Sequence, residues 1–136
     1  MDKEKQKVMQ QKYMEMQMLA QQIQQLQKQL ELLANQIFEL NTTNEALESI
    51  SKTNLGKDIL VPVASGIFIK AQLKDNQDVL VNVGSGTAVK KKIPEAKELI
   101  NEQLVEIDAF KKELESNLKN LIAKVQGMEK ELSEIS

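Results

Sequence analysis

Apolar residues recur every three or four positions along the first part of this 136-residue chain. An average spacing of 3.5 residues keeps one apolar stripe facing a partner helix, which is typical of a coiled coil. Neither Gly nor Pro interrupts residues 1–55. We therefore predict one helix over about residues 5–50, roughly 65–70 Å long. The repeat consists of Met9, Lys12, Met16, Leu19, Ile23, Leu26, Leu30, Leu33, Ile37, Leu40, Asn44 and Leu47.

A second repeat with the same spacing fills the last part of the chain and follows Pro94. Proline suits the first turn of a helix because its missing N–H group would have no partner there. We predict a C-terminal helix over residues 94–136, ~63 Å long at ~1.5 Å per residue. Its repeat consists of Ile100, Leu104, Ile107, Lys111, Leu114, Leu118, Leu121, Val125, Met128, Leu132 and Ile135.

Two helices of nearly equal length, joined by a segment that can reverse the chain, predict an antiparallel coiled-coil hairpin. Pairing Met9 with Ile135 in that hairpin places Met16 opposite Met128. A slip of one heptad would preserve the apolar pattern, so the sequence leaves both registers open.

The middle of the chain changes to short runs rich in Val, Ile and Leu, separated by turn residues. Ser65-Gly66 and Gly84-Ser-Gly86 suit tight turns, and a polar loop over residues 74–78 separates two pairs of runs. We predict two β-hairpins, with strands at residues 58–63, 67–73, 79–83 and 87–89. Pro62 cannot donate to a strand ladder, so its strand should be an edge strand or start a bulge.

Four short strands cannot cover their own apolar side chains, and free strand edges invite pairing with other chains. The expected fold is α+β and mostly helical, with two β-hairpins at the closed end of the coiled coil. We expect a single domain with segments 1–52, 53–93 and 94–136, which oligomerises through the middle segment. The predicted assembly residues are Ile59, Val61, Val63, Ile67, Phe68, Ile69, Leu73, Val79, Val81 and Val83.

Composition argues against catalysis, because the chain contains no Cys and no His. Thiol nucleophiles, imidazole bases and the usual zinc ligands are therefore missing, and we expect neither an enzyme nor a cofactor or metal site. The N-terminus is charged and polar, and no apolar run approaches the ~20 residues of a membrane span. These features predict a soluble cytoplasmic protein without a membrane partner.

Charge is unevenly distributed, although the formal net charge is only −2. Residues 51–93 contain seven Lys and three Asp, a net charge of +4, and the flanking segments are acidic. This basic excess is mild and lacks interleaved aromatic residues, so nucleic-acid binding is not expected. Lys90, Lys91 and Lys92 either protect a strand edge or form a subunit contact.

The middle segment resembles the alpha class of prefoldin, in its archaeal type. The resemblance covers about residues 56–96 in motif, whereas the two helical repeats match in period alone. Two hairpins rather than one are a feature of that class. The similar stretches are Asp58-Ile-Leu-Val-Pro-Val-Ala-Ser-Gly66, Phe68-Ile-Lys-Ala-Gln-Leu-Lys74, Val81-Asn-Val-Gly-Ser-Gly86 and Pro94-Glu-Ala96.

This resemblance implies an ATP-independent chaperone subunit in a hexamer of two alpha and four beta subunits. The hairpins of such subunits assemble into a β-barrel platform that carries the coiled coils. The distal tips capture non-native polypeptides and pass them to a group II chaperonin.

Methionines are concentrated where the tip of the hairpin would lie, since five of six precede residue 19 and the sixth is Met128. Met14 and Met18 fall outside the seam, and flexible, polarizable side chains suit a surface that meets many partners. The seam methionines equally fit a role in filling the core. The predicted client contacts are Val8, Met9, Tyr13, Met14, Met16, Met18, Met128, Leu132 and Ile135.

A structural coiled-coil adaptor with fixed partners is the alternative function. Such an adaptor should have polar helix ends with defined charge patterns, rather than clustered exposed methionine.

Overall fold

The structure is a computed structural model that describes residues 2–135. Along the chain, a long helix is followed by four strands and a second long helix. The predicted α+β, mostly helical fold class is confirmed. The elements are α1 (Lys3–Lys52), β1 (Asp58–Ala64), β2 (Ile67–Gln72), β3 (Asp78–Asn82), β4 (Ala88–Lys92) and α2 (Ile93–Ile135). The chain divides into two compact units. The end unit runs up to Gln36 and from Glu106 onward, and the hairpin unit is Ile37–Val105.

The heptad repeats describe the helix faces accurately, because every position of both predicted repeats is partly or fully buried. Leu114 and Leu132 in α2, and Leu47 in α1, are the most buried of these positions. Residues between the seam positions are mostly exposed. The period of the sequence therefore determines which stripe of each helix packs.

In the end unit the helices run antiparallel, and Lys12 of α1 forms an ion pair with Glu131 of α2. The predicted register places Lys12 opposite Leu132, the next residue along the chain. A slip of one heptad would separate the two charges by about two helical turns. The ion pair therefore agrees with the predicted register and not with the slipped one.

In the hairpin unit a small apolar core joins both helices to the second hairpin. Its buried residues are Leu47, Ile93 and Ala96, and partly buried Val79 and Val81 pack against them. Beside this core the amide Nδ2 of Asn44 donates to Oδ1 of Asn101 at 2.9 Å. The core therefore fixes one of the two hairpins against the helices.

The strands form two separate two-stranded antiparallel sheets, β1–β2 and β3–β4, as predicted. The β1–β2 register shifts between Pro62 and Ala64, where a bulge interrupts the ladder. Strand β1 has only β2 as a neighbour within residues 2–135. Pro62 thus lies in an edge strand next to a bulge, as its missing N–H group requires.

The predicted end of the fourth strand was wrong. Strand β4 is not limited to residues 87–89 but includes all three lysines, with Lys91 opposite Val79 and Lys92 opposite Asp78. The ladder continues to the start of α2, where the Ile93 N–H donates to the Gln77 carbonyl at 2.8 Å. Backbone pairing with β3 outweighs the low strand preference of three consecutive lysines.

Gly84-Ser-Gly86 forms the turn of the second hairpin, as predicted. Ser85 has a φ of 53°, between Gly84 at 105° and Gly86 at 71°. The side-chain oxygen of Asn82 accepts a hydrogen bond from the Gly84 N–H at 2.9 Å. A left-handed turn flanked by two glycines accounts for the whole motif.

Candidate functional sites

Acidic side chains do not gather into groups of three or more that could hold a metal ion anywhere in residues 2–135. Neither long helix is apolar enough over a sufficient length to span a bilayer, in the part of the chain that the structure describes. The candidate sites are therefore surfaces: the two faces of each hairpin, and the exposed apolar side chains of the end unit.

The β3–β4 hairpin has one face packed and one face open. Val79 and Val81 point toward the core formed by Leu47, Ile93 and Ala96. The alternate positions lie on the other face, and Leu80 there is 75% exposed. This hairpin therefore needs no partner to be held in place, yet it still presents an apolar side chain outward.

The β1–β2 hairpin is exposed on both faces. Val63, Ile67, Phe68 and Ile69 are all more than half exposed, and only Ile59 among its large apolar side chains is partly buried. A two-stranded ribbon with apolar groups on both sides is not stable by itself in water. The exposed apolar area is what a protein–protein interface would cover.

A groove of ≈ 760 Å³ runs beside β3 and both helices of the hairpin unit. Leu47, Ala96, Leu99 and Ile100 contribute its apolar lining, and no charged side chain lines it. Strand β3 has β4 as its one strand neighbour within residues 2–135. The groove thus combines apolar side chains with a strand that has an edge free for pairing.

Charged side chains form ion pairs and hydrogen bonds at the margins of the hairpin unit. Glu48 forms ion pairs with Lys97 and, at 3.3 Å, with Lys52. Hydrogen bonds from Lys97 and then Lys52, with their positive charges, lower the pKa of Glu48. Hydrogen bonds from the backbone N–H groups of Asp78 and Gln77 lower the pKa of Asp75 in the loop between the hairpins.

In the end unit the predicted client contacts fall into three groups by exposure. Met14 is 65% exposed and Met18 is 62% exposed, and Val8 and Tyr13 are also exposed. Leu132 is buried at 7% and contributes to the seam, so it presents no contact surface in this arrangement. The remaining predicted contacts are half-buried seam residues: Met9, Met16, Met128 and Ile135.

A groove of ≈ 430 Å³ lies between the exposed Met18 and the seam residue Met128. Met18, Leu19 and Met128 line it together with charged side chains, including the Lys12–Glu131 ion pair. Apolar side chains bordered by charges of both signs can accept an apolar side chain of a polypeptide while its backbone stays hydrated.

Among the predicted assembly residues, Val61, Val63, Ile67, Phe68, Ile69 and Val83 are exposed, whereas Ile59, Leu73, Val79 and Val81 are partly buried. Sequence reasoning missed Leu60 and Leu80, which are 65% and 75% exposed. Each lies directly opposite a lysine, Lys70 or Lys90. Alternation along β3 places Leu80 on the face opposite Val79 and Val81, but the sequence alone does not show which of these two faces is packed.

Comparisons with known proteins agree with this architecture. Residues 19–136 match the Prefoldin family, described as prefoldin subunit. The chain is 31% identical over 93 residues to prefoldin subunit alpha of Thermofilum pendens, a match that covers 68% of this chain and 72% of that protein. The filamentous PFD of Methanocaldococcus jannaschii, solved by cryo-EM, superposes with a TM-score of 0.74 at 25% identity. That superposition covers 83% of this chain and 93% of the filament subunit.

Proposed function

Because the chain belongs to the prefoldin family of chaperone subunits, we propose that it captures unfolded polypeptides without ATP and delivers them to a group II chaperonin. The family assembles into oligomers. We further propose that this chain is the alpha-class subunit of a cytoplasmic hexamer with four beta-class subunits.

Exposed methionine in the end unit is the observation that carries the capture proposal. Met14 and Met18 are one helical turn apart on α1, and each is more than 60% exposed. Val8 and Tyr13 add apolar area nearby on the same helix. Unbranched thioether side chains adapt to different apolar partners, which suits a protein whose clients share no sequence.

Assembly supports capture through avidity. Each contact with an unfolded chain is weak, and several arms in one oligomer raise the effective concentration of further contacts. The exposed β1–β2 hairpin and the groove beside β3 are the surfaces that favour assembly. No nucleotide is needed, since binding energy alone holds the client.

The test of capture is the double substitution Met14→Ser with Met18→Ser. We expect the variant to suppress aggregation of unrelated denatured proteins at least about threefold less efficiently, because each substitution removes apolar area worth roughly 1 kcal/mol. Light scattering of the aggregating client, at equal concentrations of assembled chaperone, measures the effect. The variant should assemble normally, because neither side chain is buried.

The matched control is Leu32→Ser with Phe38→Ser, which removes exposed apolar side chains from other positions of α1. Met14→Leu with Met18→Leu should retain capture because it keeps the apolar area. Unchanged suppression in the Met→Ser variant would refute the assignment of the capture surface. If the wild-type chain suppressed no aggregation, alone or mixed with a beta-class subunit, the adaptor function would replace the chaperone function.

A further inference from the structure

A groove of ≈ 400 Å³ lies between the two helices of the end unit, and all of its polar side chains are amides. We call it the amide groove, and its lining residues are Gln22, Gln25, Leu26, Gln29, Asn117, Asn120 and Leu121. We propose that the amide groove binds the backbone of an extended, unfolded polypeptide. The proposal rests on the proposed capture function and adds a site that binds the peptide groups of the client rather than its apolar side chains.

The five side-chain amides of the groove are available to a ligand. All five residues are exposed, and none of their amides makes a hydrogen bond to another group within residues 2–135. A side-chain amide has a carbonyl oxygen that accepts hydrogen bonds and an NH2 group that donates two. The groove therefore presents acceptors and donors together, which are the partners that the N–H and C=O groups of a peptide backbone require.

The spacing of the amides along α1 suits an extended chain. Gln25 and Gln29 are about one helical turn apart, which separates them by ~6 Å along the helix axis. Alternate residues of an extended polypeptide direct their N–H and C=O groups to the same side, and they are ~6.6–6.8 Å apart. Successive glutamines of α1 can thus bond successive peptide groups along one edge of a client, while Asn117 and Asn120 of α2 line the other wall.

The bottom of the amide groove is apolar. Leu26 and Leu121 are partly buried seam residues that lie below the exposed amides. Their side chains exclude water from one side of a bound backbone, and hydrogen bonds are stronger where water is excluded. No charged side chain lines the groove, so its affinity for a client does not depend on the charge of that client.

The amide groove adjoins the groove of ≈ 430 Å³ beside Met18, because Gln22 lines both. Met18 is 62% exposed and lies about one turn before Gln22 on α1. From Met18 to Gln29 the helix rises ~16–17 Å, a distance that about five residues of an extended chain cover. A client with an apolar side chain on Met18 can therefore place its next residues in the amide groove.

A second copy of this chain is a poor occupant of the amide groove. The backbone N–H and C=O groups of its long helices are already paired within each helix. An unfolded polypeptide offers free peptide groups at nearly every residue, whatever its sequence. The amide groove thus favours unfolded over folded chains without selecting a sequence, which complements the apolar contacts of Met14 and Met18.

The experiment compares two peptides with the same side chains, an apolar start followed by about nine Ser, Thr and Ala residues. In the second peptide, esters replace alternate peptide bonds of the Ser, Thr and Ala segment, which removes N–H donors and keeps every side chain. We expect the full-length chain to bind the ester peptide at least about fivefold more weakly, because hydrogen bonds to the amides are lost. Fluorescence anisotropy of the labelled peptides measures both dissociation constants.

The variant Gln25→Ala with Gln29→Ala should also bind the all-amide peptide at least about fivefold more weakly. It should show a smaller difference between the two peptides, because two partners of the client backbone are gone. Alanine is a strong helix former, so α1 stays helical. The matched control is Gln24→Ala with Gln27→Ala, which makes the same change in composition on α1 outside the groove. We expect it to alter either dissociation constant by less than about twofold.

Wild-type binding of the all-amide peptide by the Gln25→Ala, Gln29→Ala variant would overturn the proposal and leave capture by Met14 and Met18 intact. Equal affinity of the wild-type chain for the two peptides would also overturn it, since the backbone would then not be recognised. The same holds if the variant weakens binding of both peptides by one common factor, because the effect would then be indirect. If the wild-type chain bound neither peptide, the proposal would fail, and the aggregation assay would show whether the proposed capture function fails with it.

Discussion

The two β-hairpins are both two-stranded and antiparallel, but their surroundings differ. In β3–β4, Val79 and Val81 pack against a core that includes Ile93, which is 3% exposed. In β1–β2, large apolar side chains such as Phe68 and Ile69 remain more than half exposed. One hairpin packs on the helices of its own chain, and the other leaves its large apolar side chains exposed.

This difference shows how a subunit can fold before it assembles. Packing of β3–β4 on both helices provides a stable base in the single chain, because buried apolar area is the main source of stability. The β1–β2 hairpin leaves its apolar area exposed, and we propose that association covers this area. Matched substitutions in the two hairpin regions test whether β3–β4 is packed and β1–β2 is open.

The largest expected difference is between Ile93→Ala and Ile69→Ala. Ile93 is 3% exposed in the core, so its truncation should lower the free energy of unfolding of the chain alone by about 2–4 kcal/mol. Ile69 is 52% exposed, and its truncation should cost less than about 0.5 kcal/mol. Urea denaturation followed by circular dichroism measures both values.

Association with a beta-class subunit should be weakened more by Ile69→Ala than by Ile93→Ala. Ile69→Ala is expected to weaken assembly because it removes apolar area from the open hairpin. A large loss of stability in the Ile69→Ala chain alone would show that β1–β2 is already packed in the monomer. The two hairpins would then not differ in packing.

A smaller difference is expected between Val81→Ala and Val61→Ala. Val81 is partly buried against the core, and loss of its methyl groups should cost about 1 kcal/mol. Val61 is 36% exposed and is not among the side chains that pack on the core, so about 0.3 kcal/mol is expected. Hydrogen exchange should also protect the amides of β3–β4 more strongly than those of β1–β2. Equal losses in the free energy of unfolding for the two substitutions would contradict the view that β3–β4 is packed on the helices and β1–β2 is not.

The smallest effect concerns the loop that joins the two hairpins. The Asp75 carboxylate accepts hydrogen bonds from the N–H groups of Gln77 at 2.8 Å and Asp78 at 3.0 Å, where β3 begins. Because these bonds lower its pKa in the folded chain, the stabilisation is present above the ordinary value of 3.8. It is lost as the pH falls through the lowered pKa.

Asp75→Asn keeps an acceptor oxygen but cannot titrate, so the variant should lose less stability than wild type between about pH 5 and pH 2. Thermal unfolding at a series of pH values, with each protein compared with itself at neutral pH, measures the difference. Identical pH profiles would show that the Asp75 carboxylate does not stabilise the start of β3.

Helix faces were predictable at single-residue resolution, because even the polar residues Lys12 and Asn44 are partly buried in the otherwise apolar seam of α1. A heptad repeat assigns positions by spacing rather than by residue type, so polar members are included. The same logic separated Met16, half-buried in the seam, from Met14 and Met18, which are exposed. The register itself needed the structure, because a slip of one heptad leaves the spacing unchanged.

The two hairpins could be predicted from the sequence as secondary-structure elements, but the side chains that they expose could not. Turn residues and Pro62 indicate where β1–β2 reverses and where its ladder is irregular, since those constraints act on the local backbone. Leu60 and Leu80 were missed as exposed residues because the apolar runs of β1 and β3 do not alternate with polar residues. Without alternation, a strand sequence does not indicate which face is packed.

Two long helices with one apolar stripe each, two hairpins between them, and the positions of the turns can all be predicted from the amino-acid sequence. These features follow from local backbone preferences and from periodicity, which each segment carries alone. The sequence does not show which hairpin packs on Leu47, Ile93 and Ala96, or which lysines of β4 face outward; the folded chain shows both. Those choices depend on contacts between segments distant in the chain, and burial of one sheet face is a property of the packed unit rather than of any strand.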